Sequence, residues 1–207
     1  MITGNINGFN LVAMPSSPGQ RQVDWEGTNL VGELTNGFTG QQQIQNWNAG
    51  WLAATVTMPP LQRADAANWV AFLLQLQGPS GVFMFGDGLA TQPLGTAQGM
   101  GVTVGINQGP NSFTTNGWTP SQTNLLLPGD YIQVGYRLYR NMNMVSSDTG
   151  GNASISIWPP MRENPAAGTP IVTASPQGLF RLADNTQRWS ESYLRTTGIS
   201  FKVREAI

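Results

Sequence analysis

Two acids separated by one residue, Asp24 and Glu26 in VDWE, have the types and spacing that could do chemistry. On a strand both carboxylates point the same way, about 7 Å apart, a separation of the order found between the paired carboxylates of glycosidases, and a neighbouring Trp25 could stack a sugar. Two acids on one exposed strand face are also what ordinary solvated charges look like, and nothing else in the chain supports a paired role. Asp130, in LPGDYIQVG, is the other acid in a suggestive setting. Pro128 presets φ at the second position of a turn and Gly129 supplies positive φ at the third. The Asp side chain can then bond nearby amides as the chain enters YIQV, so geometry accounts for every residue.

The missing residue types narrow the chemistry further. The chain has no His and no Cys, which removes the usual general base, the triad partner, the commonest metal ligands and any disulfide framework. No metal, no cofactor and no catalytic residue is expected. GTAQGMGVTVG at 95–105 misses the dinucleotide spacing at Gly99, Gly101 and Gly105, and no Gly-Lys-Ser/Thr follows, so it reads as loop and bulge. SSDTGGNAS at 146–154 reads as a hairpin-like turn.

Composition sets the partners. Only 10% of the 207 residues are charged and the net charge is -1, against about 25% charged in ordinary soluble domains. A neutral skin of Gln, Asn, Ser and Thr suits protein neighbours or sugars, and it excludes nucleic-acid recognition, which needs a basic surface. Lys202 is the single lysine among ten basic residues; arginine enrichment points mildly to assembly. No stretch approaches the ~20 apolar residues of a membrane span, and MITGNINGFN lacks the charged and apolar regions of a signal peptide. A soluble protein is expected.

The elements that would position these groups are mostly short strands. Turn signals recur every ten residues or so, the spacing of a sandwich or barrel. Leu52, Ala54, Val56 and Met58 share one face of 51–58; Ala153, Ile155 and Ile157 share one of 153–158; Ile199, Phe201 and Val203 share one near the end. One helix is predicted over about 62–77, with Pro-Pro before it, Asp65 in its first turn and Gly78-Pro79 behind it. Its apolar stripe is Ala66, Trp69, Val70, Leu73 and Leu76.

The order FTGQQQIQNW (38–47), WLAATVTMPPLQRADAANWVAFLLQLQGPSGVFMFGDG (51–88), LLPGDYIQVG (126–135), WPPMR (158–162) and GLFRLA (178–183) resembles the distal tail or minor tail proteins of long-tailed bacteriophages, from about Ser16 to Ala183. Gly88 stands where the pattern has proline, and NTQRWSESYLRTTGISFKVREAI lies outside it. The resemblance implies a virion protein made in the host bacterial cytoplasm. Such proteins form a ring, commonly a hexamer, at the end of the tail tube. There the partners would be the tube protein, the hub or baseplate proteins and the tape measure protein. No enzymatic residue comes across. The implied fold is mainly β: a β-sandwich or split-barrel ring-forming module with one packed helix, over 1–89 plus 179–207, and an inserted second β-barrel or sandwich over 90–178. Gln41, Gln43, Gln45 and Trp47, on what should be a strand with Gln42, form an amide and aromatic face suited to a subunit contact; a merely solvated face is the other reading. A carbohydrate-binding module contacting the host surface is the alternative function, with Trp25, Trp118 or Trp158 stacking sugar rings.

Overall fold

A computed structural model describes residues 2–6, 8–97, 102–106, 108–193 and 195–206. In chain order the strands are β1 (Ile2–Ile6), β2 (Phe9–Val12), β3 (Gln22–Thr35), β4 (Gln42–Thr57), β5 (Phe83–Phe85), β6 (Val102–Val104), β7 (Ser112–Asn116), β8 (Tyr131–Val134), β9 (Arg137–Asn141), β10 (Asn152–Trp158), β11 (Pro170–Val172), β12 (Gly178–Leu182), β13 (Trp189–Glu191) and β14 (Thr197–Glu205). Helix α1 (Arg63–Gln75) lies between β4 and β5. The protein is mainly β, as its alternating segments predict.

The chain divides into two compact units. Residues 1–26, 52–87 and 177–207 form the first, and residues 27–51 and 88–176 the second. This corrects the expected division at one place: 27–51 belongs with the inserted module. The reason is a set of bonds distant in sequence, described below, that no local pattern encodes.

The sheet order is β3-β4-β14-β12-β5, with β13 on β14; of its two longest strands, residues 22–26 of β3 and 52–57 of β4 belong to the first unit. The pairing of β14 with β4 sets Phe201 against Val56 and Val203 against Ala54. All four are buried, as are Leu52, Met58 and Ile199, so both predicted alternations lie core side in. Helix α1 buries Ala66, Trp69, Phe72 and Leu73. Phe72 takes the place expected of Val70, which is only half-buried, because its ring meets Phe83 edge-on at 5.3 Å. Aromatic rings continue the core through Phe83, Phe85 and Phe180, each pair tilted or T-shaped at 5.5–6.1 Å, the arrangement that ring quadrupoles favour. Gln77 in the left-handed region and Gly78 at φ 67° end the helix.

The second unit contains a closed antiparallel barrel, β10-β7-β6-β11-β8-β9. Closure removes the unpaired edges that an open sheet exposes. Its interior is filled by Val104, Phe113, Leu125, Ile132 and Ile155, all fully buried, and by their neighbours. Asp130 pins the barrel's long β7–β8 connection. Its carboxylate accepts the amides of Leu94 and Leu127, both at 2.8 Å, while its own N–H donates to the Leu127 carbonyl and closes the turn. Gly129 at φ 99° is the positive-φ position that the turn requires. The acid that looked chemical is structural.

Candidate interaction surface

Beyond Glu26 the two longest strands continue as a ribbon whose side chains are exposed on both faces. Between Leu30 and Trp47 none of the large apolar residues is buried: Leu34 is 69% exposed, Phe38 fully so, Ile44 64% and Trp47 56%. A free two-stranded ribbon is marginal in water, so its order must come from its two ends.

The tip is held by Asn36. Its N–H donates to Gln41 O and its side-chain oxygen accepts the amides of Phe38 and Thr39, while Gly40 N–H returns to Asn36 O. This Asx-type cap fixes the loop and sets the Phe38 ring outward. The base is held by the barrel end. The Trp158 ring lies so close to Gly27 that a Cβ there would approach it to 2.6 Å; its indole N–H donates to Asn29 Oδ1 at 2.8 Å. Asn111 donates to Asn48 Oδ1, and the Arg162 guanidinium donates to Gly50 O. The ribbon therefore extends from the second unit as one arm.

Trp47 lies over Gly32, where a Cβ would come within 2.5 Å of the ring. Strand alternation then assigns Leu30 and Leu34 to the Trp47 face together with Gln43 and Gln45. Val31 and Ile44 belong to the opposite face with Glu33 and Gln42, whose side chains are hydrogen-bonded at 3.1 Å. Of the four residues singled out in the sequence, Gln43, Gln45 and Trp47 share this face, whereas Gln41 precedes β4 and serves the turn. Leu30, Val31, Leu34, Phe38 and Ile44 were missed, because apolar residues in an alternating strand read as core. The available signal was that NLVGELTNGF spaces them on both faces at once. β3 also ends the sheet order, so its outer edge has no strand partner among the described residues.

The three tryptophans considered for sugar stacking are placed differently. Trp118 is a correction: it is 3% exposed inside the barrel, with its indole N–H on Thr115 Oγ1 at 2.7 Å. Trp25 packs on Phe85 and Phe180, at 5.4 and 5.9 Å, and Trp158 covers Gly27. Both are half-buried. Because Trp25 faces the core, it does not share a face with Asp24 and Glu26, which are exposed; Asp24 accepts the Gln22 amide at 2.8 Å. Gly99 and Gly101 of the glycine-rich run lie outside the described residues. Among the described residues no cluster of acids could hold a metal, and no helix is long and apolar enough to cross a membrane.

The turn at 146–154 is ordered by Asp148, whose carboxylate accepts the amides of Asn152 and Gly150 and the Asn152 side chain. The bonds from Asn152, backbone first and then side chain, hold its pKa below the ordinary carboxylate value. Comparison of the chain with protein-family models and with curated proteins finds no match.

Proposed function

We propose that this chain is a structural virion protein of a long-tailed phage. Six copies form a ring at the distal end of the tail tube and join it to the baseplate or tip. In this reading its partners are itself, the tube protein, the hub or baseplate proteins and the tape measure protein, and it performs no catalysis. The observation that carries the reading is the arm: a ribbon ordered at both ends, displaying Leu30, Leu34, Phe38, Ile44 and Trp47 to solvent with Glu33 as the only charge from 27 to 51. Exposed apolar area of this kind marks a protein interface, and the open edge of β3 offers backbone groups for strand addition. A closed ring needs two different patches on each copy; the arm supplies one.

Native mass spectrometry of the purified chain, with negative-stain imaging, tests the reading. Discrete hexamers with a central hole are expected, and Phe38→Ser combined with Leu34→Ser reduces them to monomers without unfolding. A monomer at every concentration, alone and in the presence of tail tubes, overturns it.

A further inference from the structure

The outer surface of the barrel carries a groove that the ring reading does not use. Its floor comes from one strand pair: β7 and β10 place Thr114 opposite Ser154 and Asn116 opposite Asn152. Phe113, Thr115 and Ile155, the alternating neighbours, are buried, so the four polar side chains stand on the outside. Gly105 and Ile106 form one wall and Ser146 to Asp148 the other.

Hydrogen bonds within the groove sort the remaining capacity into donors and acceptors. Thr103 donates to Asn116 Oδ1, which leaves the Asn116 amide N–H groups for a ligand. Asn152 spends its Nδ2 on Asp148, at 3.0 Å to Oδ2, which leaves its own oxygen as an acceptor. Ser154 and Ser146 can do both, and Asp148 adds carboxylate lone pairs. Ile106, 71% exposed, offers an apolar wall. A lining of this kind has no cation for a phosphate or an acidic sugar, and a carboxylate on its rim repels both. A hydrocarbon would leave the Asn116 amide N–H groups and the Ser154 hydroxyl uncompensated beneath it. Neutral vicinal hydroxyls, each able to donate and accept, on a ring with an apolar C–H face, match it on every side.

We propose that this groove binds a neutral saccharide. The assignment is independent of the ring reading, since it rests on β7, β10 and the 146–148 turn alone.

The test is saturation-transfer NMR on the full chain with the methyl glycosides of glucose, galactose, mannose and N-acetylglucosamine, with sialic acid as the charged control. A saturable signal from at least one neutral glycoside and none from sialic acid is expected. Ser154→Trp, which fills the groove from an exposed position, and Asn116→Ala each weaken binding by about tenfold or more, whereas Phe38→Ser on the arm leaves it unchanged. Should Ser154→Trp fail to fold, Ile106→Ala probes the opposite wall by the same readout. No saturable signal from any neutral glycoside overturns the proposal, and so does a signal that survives in the folded groove variants. The oligomeric mass of the same samples reports on the ring separately.

Discussion

Replacing Asp130 by alanine removes the acceptor of two amides at once. Asp130 is 4% exposed, and Leu94 N–H and Leu127 N–H both reach its carboxylate at 2.8 Å. A buried donor left without its partner costs about 1–3 kcal/mol. The Leu94 side chain is 76% exposed, so its amide can turn partly to water and the sum belongs in the lower part of that range, about 2–4 kcal/mol. Asp130→Asn keeps one oxygen and loses one, and should cost about 1–2 kcal/mol. Urea titration followed by circular dichroism and fluorescence reads the order wild type, Asn, Ala. With two compact units the loss falls on the transition that reports the barrel. An alanine variant within about 0.5 kcal/mol of wild type, the range of a featureless surface site, would sink the structural account and reopen the question of a chemical role for this acid.

Trp69→Ala removes a fully buried ring from the helix–sheet core and should cost about 3–5 kcal/mol, read by the same titration. Gly27→Ala puts a methyl 2.6 Å from the Trp158 ring, an overpacking worth about 1–3 kcal/mol; increased protease cleavage between 30 and 47 would show the loosened base of the arm. The hydrogen bonds from Asn152 hold the folded-state pKa of Asp148 below the ordinary carboxylate value. Its contribution is therefore fully present above that value and is lost as pH falls through the depressed one. Melting temperature measured down an acid series should fall less steeply in Asp148→Asn than in wild type, and identical slopes would contradict the assignment.

Much of the local structure was legible. The turn at 127–130 follows from Pro128, Gly129 and Asp130, because each residue type restricts φ or offers a bond within four positions. The helix follows from its stripe and stop signals, and the buried faces of 51–58, 153–158 and 199–203 from period-two alternation. The candidate surface was legible only in part. Gln43, Gln45 and Trp47 were found by composition, yet Leu30 and Leu34 on the same face and Ile44 on the other were not, since alternation reports which residues share a face and not whether anything covers it. Trp118 was misplaced for the converse reason: its flanks Gly117 and Thr119 suggest an exposed loop, while Thr115 and the barrel interior accept its ring.

By itself the sequence determined the strand-rich class, the helix, the tight turns and the absence of histidine and cysteine chemistry, all properties of neighbours along the chain or of composition. Tertiary structure alone decided that six short strands close into a barrel and that residues 27–51 group with the barrel's segments. The hydrogen bond from Trp158 to Asn29 spans 129 positions. Pairings of that range are selected by packing and backbone satisfaction across the whole fold, for which a local pattern holds no record.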